Sequence, residues 1–230
     1  MPSGVSMDAA ITSFAQLAKL AAAITRPVDG PWQVDCSPLT REQFEALRHH
    51  ESFGTPLERF ALSQSLLPLA KLPRKQVQKL PVSPDGRLAI FLLTEPLKRL
   101  EEASLLVCGA AMHVQILSVV ARDKRNHLRA ALGDDGYQVA TLEAPMLYPS
   151  LGAHADDGLL EEAFAAETAG ARDMFAEFGF RLFASAVAVH WRPLAKLASV
   201  RWPTDIRLKS LSAKDVQLIL RLLQRRLPAW

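Results

Sequence analysis

The chain has 230 residues, which is enough for one substantial domain or for one domain with a small appendage. Hydrophobic residues make up 49% of it, with 11 glycines and 15 prolines, and no fixed repeat or low-complexity tract appears, so we expect a chain that is globular throughout. The net charge is only +3, and the two cysteines, Cys36 and Cys108, are far apart in sequence, which argues against a disulfide framework and favours a reducing cytosol.

Residues 1–69 predict a succession of short helices. The apolar residues of the first predicted helix share one face: Phe14, Leu17, Leu20 and Ile24. The segment lacks the basic region of a secretory signal. Thr40 and Gln43 form a capping box for a second helix that ends near Arg48, and residues 56–69 predict a third. We expect residues 1–35 to be a loosely attached segment of a single α-helical domain that spans residues 1–230.

Residues 81–93 combine a turn with a short apolar run. Pro81, Pro84 and Gly86 make residues 81–86 the clearest turn signal in the chain. The run at residues 88–93 is too short for its periodicity to distinguish a strand from the start of a helix.

Residues 103–121 contain no charged side chain and predict one long buried helix. Its apolar residues recur at three- and four-residue spacing in two series: Leu105, Met112, Ile116 and Val119, and Leu106, Ala110, Leu117 and Val120. Nineteen uncharged residues approach the length of a membrane span. However, polar side chains such as His113 and Gln115 would be costly in lipid, which favours a core helix.

Four cations follow this run within eight residues: Arg122, Lys124, Arg125 and Arg129. We expect them at the C-terminal end of the long helix, where the macrodipole favours positive charge, with Gly133 as a left-handed residue that ends the helix. Asp134 or Asp135 can cap the next helix, which includes residues 137–147. Because four such cations stay solvated unless they are paired, we predict that they form a docking surface.

An acidic segment and a long helix come next. Asp156 and Asp157 open a helical segment that also carries Glu161 and Glu162, and we hypothesise that these four carboxylates bind a second partner. Residues 172–191 predict a longer helix that is disturbed or ended by Pro193.

The last predicted helix begins at the capping pair Ser212 and Asp215 and is amphipathic and basic. It can cover the core, contact a partner protein or contact lipid headgroups, and Arg221 and Arg225 are candidate contact residues. Together these elements predict a mainly α, irregular multi-helix fold with room for one or two short strands.

Charge is separated along the chain. The net charge, counted from lysine and arginine against aspartate and glutamate, is −3 for residues 1–58, +7 for residues 59–129, −9 for residues 134–177 and +7 for residues 192–230. Such segments can fold against each other or face water, where isolated pairs contribute little. They can also form faces of opposite sign that bind different partners, and the sequence leaves both interpretations open.

No catalytic constellation is present in the sequence. It has no glycine-rich phosphate loop, no His-Glu-x-x-His, no Gly-x-Ser-x-Gly and no EF-hand spacing. His49-His50-Glu51 could ligate a metal, but adjacent helical residues point in different directions. Cys108 and His113 are five residues apart in the apolar run, which favours a core histidine with satisfied hydrogen bonds over a catalytic thiol-imidazole pair. We therefore expect no enzymatic activity, no cofactor and no metal.

In residues 97–147 a long apolar run leads to Arg122, then to Leu-Arg-x-x-Leu-Gly at residues 128–133, and then to Tyr137 and Ala144-Pro145. This order of motifs resembles the SctK family of adapters from bacterial type III secretion sorting platforms. In that family a long apolar helix leads to an arginine-bearing turn, a Leu-Arg-x-x-Leu-Gly end and an aromatic-led helix closed by Ala-Pro. A later passage continues the resemblance through Trp191, Pro193, Leu194, Leu197 and Arg201, and it ends in Val200-Arg201-Trp202-Pro203 where the family has Leu-Lys-Leu-Pro.

The resemblance implies a cytosolic helical adapter at the periphery of the inner membrane, beneath the ring of the injectisome, without a reaction of its own. Such adapters join the forkhead-associated domain of the ring protein SctD to the pod protein SctQ, and through SctQ to SctL and the ATPase SctN. The alternative is a basic helical nucleic-acid-binding protein, based on the last helix with Trp202 and Trp230, whose affinity would fall steeply with salt. An enzyme with an unrecognised site ranks third.

Overall fold

A computed structural model of the chain describes residues 41–49, 74–195, 202 and 207–227. Within these ranges the chain is helical and forms no strand, which confirms the predicted mainly α, multi-helix fold. Several predicted features lie outside the described residues: the first helix, Cys36, the cap residue Thr40, His50 and Glu51, the helix at residues 56–69, Leu197, Val200, Arg201, Pro203 and Trp230.

The chain divides into two units. One comprises Met1–Thr94 and Trp191–Ile206, and the other comprises Glu95–His190 and Arg207–Trp230. The single domain spanning residues 1–230 stays a prediction.

The first unit contains α1 (Arg41–Arg48), α2 (Arg74–Lys79) and α3 (Pro84–Thr94). The ambiguous run at residues 88–93 is helical, and all of its side chains are buried. The predicted turn shortens to the residues before Pro84, and Ser83 Oγ accepts a hydrogen bond of 3.0 Å from the Gly86 amide in the first turn of α3.

The second unit is built around α4 (Leu97–Ala111), whose residues 103–111 are all buried. In chain order α4 is followed by α5 (His113–Ser118), α6 (Arg122–Gln138), a π-helical turn (Val139–Glu143), α7 (Ala144–Leu147), a 3₁₀ helix (Pro149–His154), α8 (Leu159–Ala165), α9 (Thr168–Ala195) and α10 (Ala213–Arg226). The residues of α9 from Trp191 onward belong to the first unit. α4 packs against α6, the π-helical turn, the 3₁₀ helix and α10. The uncharged run therefore forms the centre of this unit.

The prediction of one continuous helix over residues 103–121 is wrong. The chain leaves helical geometry at Met112 (φ −90°, ψ 6°), between α4 and α5, and His113 Nδ1 donates a hydrogen bond of 2.9 Å to the Ala110 carbonyl at this break. After α5, residues 119–121 lie outside any helix and lead to α6. Consequently Arg122, Lys124 and Arg125 begin a new helix, where the macrodipole disfavours positive charge, instead of ending the apolar one.

The predicted positive φ at Gly133 is confirmed, with φ 74°. Its ψ of 166° is also non-helical, so a first helical segment of α6 ends at Gly133 and a second segment continues beyond the kink to Gln138. Pro145 lies in the first turn of α7 and has no amide hydrogen to donate to the Thr141 carbonyl. The wider π-helical turn that precedes α7 fits this missing hydrogen bond.

The long aromatic helix, α9, contains the predicted disturbance near Pro193. Trp191 departs from helical geometry (φ −130°, ψ 47°), and helical structure then resumes as far as Ala195. A proline ring clashes with the turn that precedes it, which explains a kink at this position.

Candidate partner-binding surface

The four predicted docking cations lie on α6, and all four are exposed. Two of them already have partners within the chain. The Lys124 ammonium lies 4.7 Å from the centre of the Phe164 ring, and Arg129 Nε donates to Asp134 Oδ1 at 2.6 Å. Arg122 and Arg125 make no ion pair within the described part of the chain. These two side chains are therefore available to another molecule.

The four predicted acidic contact residues divide in the same way. Asp156 Oδ1 accepts a hydrogen bond of 3.3 Å from the Gly158 amide, which closes a turn before α8. Asp157 Oδ1 accepts one of 3.0 Å from Gln115 Nε2 on α5. Glu161 and Glu162 are exposed on α8. The first pair of carboxylates thus contributes to local structure, and the second faces solvent.

The basic start of α6 and the acidic α8 are neighbours. His127 Nε2 donates to the Ala163 carbonyl at 3.0 Å, and the His127 and Phe164 rings lie 6.2 Å apart. No ion pair joins the α6 cations to Glu161 or Glu162 in the described structure. The two charged segments therefore form one mixed surface, and their assignment to separate partners stays a prediction.

The basic helix α10 covers the core of its unit. The Ser212–Asp215 capping box is confirmed, and the apolar face is buried: Val216, Ile219, Leu220, Leu222 and Leu223. Arg226 forms ion pairs with Asp135, at 3.3 Å, and with Glu143, while Arg225 Nε lies 3.8 Å from Glu143 Oε2. Arg221 is exposed. A partner contact for Arg221 and Arg225 stays a prediction.

Asp215 is at the centre of a polar cluster that contains a histidine and two serines. It accepts hydrogen bonds from His154 Nε2 at 3.1 Å, Ser150 Oγ at 3.2 Å and Ser212 Oγ at 2.6 Å. Both hydroxyl groups bond to the carboxylate and not to the imidazole, so the cluster lacks the order of a nucleophile, base and acid triad. The arrangement is a reinforced helix cap.

Cys108 and His113 show no sign of reactive chemistry. Cys108 is fully buried, and burial raises the pKa of its thiol, which keeps it protonated and unreactive. His113 is buried and its Nδ1 hydrogen bonds to the Ala110 carbonyl, as predicted for a satisfied core histidine. Over the described ranges, no three His, Cys, Asp or Glu residues are grouped so as to hold a metal ion.

A cavity of about 180 Å³ lies beside the kink at Gly133. Both of its cations are paired within the protein. Arg172 Nε donates to Glu101 at 2.6 Å, and Arg226 binds Asp135 and Glu143. The cavity therefore offers no unpaired positive charge to an anionic ligand.

Several side chains that the sequence placed in a buried helix are exposed instead. Leu117 is 50% exposed and Val120 is 83% exposed, because the break at Met112 resets the helical register. Val114 on α5, Leu142 in the π-helical turn and Met146 on α7 are exposed too. None of these residues was predicted to belong to a site, and the only sequence signal was the polar Gln115 and Ser118 beside them.

No helix in the described part of the chain is long and apolar enough to cross a bilayer. Comparisons of the chain with protein-family models, with curated proteins and with solved structures gave no match.

Proposed function

We propose that the protein is a cytosolic adapter of a bacterial type III secretion sorting platform, similar to the SctK family. In this role it links the cytosolic forkhead-associated domain of SctD to the pod protein SctQ, and through SctQ to SctL and the SctN ATPase. Its mechanism is positional, since it holds other proteins at a fixed place and catalyses no reaction. The order of motifs in residues 97–203 supports the proposal.

The observation that carries the proposal is the start of α6. Arg122 and Arg125 are exposed there without an ion-pair partner in the described residues, at the place of the arginine-bearing turn in the family resemblance. A cation in the first turn of a helix opposes the macrodipole and costs about 0.3–1 kcal/mol. Carboxylates of a bound protein would offset this cost. A local conflict of this kind is expected at a functional position.

The neighbouring α8 adds directionality to this surface. Glu161 and Glu162 are exposed on a helix that packs beside the start of α6. A partner with a single patch of negative charge would be attracted by α6 and repelled by α8, which fixes its orientation more than its affinity. An adapter that holds its neighbours in register needs such orientation.

Reversal of the two available cations tests the proposal. Arg122→Glu/Arg125→Glu is expected to weaken binding to the cytosolic domain of SctD or to SctQ from the same genome at least tenfold, without a lower melting temperature. Calorimetric titration against each purified partner measures this effect. Lys98→Glu is the matched control, because Lys98 is an exposed cation in the first turn of α4. Full affinity of the double variant for both partners would refute the proposal.

Nucleic-acid binding, the alternative, has less support. Trp202 is buried, with 7% of its surface exposed, so it offers no stacking surface to a base. Arg226 on the basic helix α10 is paired with Asp135 and Glu143. Steeply salt-dependent binding of a labelled RNA or DNA oligonucleotide would favour the alternative over the adapter.

A further inference from the structure

Six large apolar side chains are exposed on adjoining elements of the second unit: Val114 and Leu117 on α5, Val120 after it, Leu142 in the π-helical turn, and Met146 and Leu147 on α7. We call these six residues the apolar face. α5 packs against both the π-helical turn and α7, so the six side chains belong to neighbouring segments. Single exposed apolar residues are ordinary, whereas a group on adjoining segments indicates an interaction surface.

The fold does not need the apolar face for its own core. Each of its elements already buries other side chains: His113 and Ile116 from α5, Val139 and Ala140 from the π-helical turn, and Ala144 from α7. The exposed fractions reach 83% at Val120 and 81% at Met146, so these side chains contact little of the chain itself. Polar residues at these positions would cost the folded chain little stability.

Positive charge borders the apolar face at one end. Val120 lies two residues before Arg122, and Arg122 and Arg125 are exposed without an ion-pair partner in the described residues. Ala121 provides no side-chain cap, so the first amide groups of α6 add to the positive potential. Asp123 is exposed between them and removes one charge, which leaves residues 122–125 with a net charge of +2.

We propose that the apolar face docks an amphipathic helix of a partner protein, whose apolar stripe covers the face and whose carboxylates reach Arg122 and Arg125. This inference rests on the proposed function in taking the start of α6 as a docking site. It adds the apolar contact area and the chemistry of the segment that binds there.

Two other occupants fit the charges less well. An anionic bilayer is an extended surface, so it would meet Glu161 and Glu162 on α8 together with the cations at the start of α6. The acidic helix α8 of a second copy buries Leu159, Leu160 and Ala163 in its own core, so it has no apolar stripe to offer. A separate protein segment with both apolar and acidic residues satisfies the whole surface.

Site-specific photo-crosslinking in the source cells tests this inference. The full chain carries a benzophenone amino acid in place of Leu117 or Met146, and mass spectrometry identifies the segment that is crosslinked. Both positions are expected to capture the same amphipathic, net acidic segment, and Arg122→Glu/Arg125→Glu is expected to lower the yield at least tenfold. The matched control position is Leu208, which is 38% exposed and outside the apolar face. An unchanged melting temperature confirms that each variant folds.

The outcomes separate this inference from the proposed function. Crosslinks to a second copy, to lipid or to a segment without acidic residues would overturn the inference, and so would no protein crosslink at either position. An acidic amphipathic segment from a protein outside the secretion apparatus would support the docking surface and contradict the adapter function. Binding of SctD or SctQ to the purified protein without any crosslink would support the adapter function and contradict the docking surface.

Discussion

Asp215 shows how one side chain joins two distant parts of the chain. It lies in the first turn of α10, is 8% exposed, and bonds to Ser212 at its own helix start and to Ser150 and His154 of the 3₁₀ helix. Burial acts to raise the pKa of its carboxyl group, but the hydrogen bonds from Ser212, His154 and Ser150 outweigh burial and lower it. The carboxylate is therefore stabilised in the folded state.

We predict that Asp215→Asn lowers the free energy of unfolding by about 1–2 kcal/mol at pH 7, since it removes a charged cap acceptor. Because the folded-state pKa is lowered, the contribution of Asp215 is fully present above its unfolded pKa of about 3.9 and is lost as the pH falls through the folded pKa. Urea denaturation at pH 7 and at successively lower pH should show the gap between variant and parent closing in acid. A gap that stays constant down to about pH 2.5, well below that unfolded pKa, would contradict the assignment.

The pairing of helices depends on glycines that allow close approach. Gly179 on α9 faces the backbone of Ser104 on α4. A Cβ at position 179 would overlap the Ser104 carbonyl oxygen, since the two atoms would lie well inside their van der Waals distance. The same helix carries Gly170, where an added Cβ would lie 3.6 Å from the Ala166 Cβ, an ordinary contact. One helix thus offers both a strict and a permissive glycine.

We predict opposite effects for alanine at these two glycines. Gly179→Ala should destabilise the protein by about 1–3 kcal/mol, because α4 and α9 must separate. Gly170→Ala should stabilise it by about 0.5–1 kcal/mol, because alanine loses less backbone entropy in a helix. Chemical denaturation of the two variants measures both changes. Equal stability of the variants would mean that α4 and α9 do not approach as closely as described.

Sequence periodicity predicted helices better than it predicted the breaks between them. α10 begins where Ser212 and Asp215 indicate, and the positive φ of Gly133 was also predicted, since both signals are local. The break at Met112 has no glycine or proline to mark it in the sequence, and a hydrogen bond from His113 to the Ala110 carbonyl accompanies it. Counting one helical period across that break placed Leu117 and Val120 in the core.

The sequence predicted the cations of the candidate site but not the side chains that lie beside them. All four cations of α6 are exposed, as predicted, although Arg129 pairs with Asp134 on the same helix. Lys124 contacts Phe164, forty positions later in the chain, and this contact depends on how α6 packs against α8. The apolar face was missed for the same reason, because its segments become neighbours only through tertiary packing.

At the scale of the whole molecule, the separation of charge along the chain is partly neutralised by folding. The basic C-terminal segment meets the acidic middle segment where Arg226 binds Asp135 and Glu143. The side chains of Arg226 and Glu143 are only 18% and 14% exposed, whereas Asp135 is 79% exposed. The interpretation that opposite segments fold against each other holds here, and the start of α6 keeps its charge exposed.

The net contribution of the ion pair between Arg226 and Glu143 to stability should be smaller than the destabilisation caused by removing one of the two partners. Arg226 Nε and Glu143 Oε2 are buried and make no hydrogen bond in the described structure, so part of their desolvation is not compensated. We predict that Arg226→Met lowers the free energy of unfolding by about 2–3 kcal/mol, because it leaves Glu143 with only the distant Arg225. Arg226→Met/Glu143→Gln should recover most of this loss.

A double-mutant cycle in urea measures the coupling between these two residues, and Arg221→Met is the control. Arg221 is exposed on the same helix, so its replacement should change stability by less than about 0.5 kcal/mol. Strictly additive effects of the Arg226 and Glu143 variants would mean that the two charged segments do not depend on each other here. Strong coupling would show that the acidic segment helps to hold the C-terminal end of the basic helix α10, through the ion pair of Arg226 with Glu143.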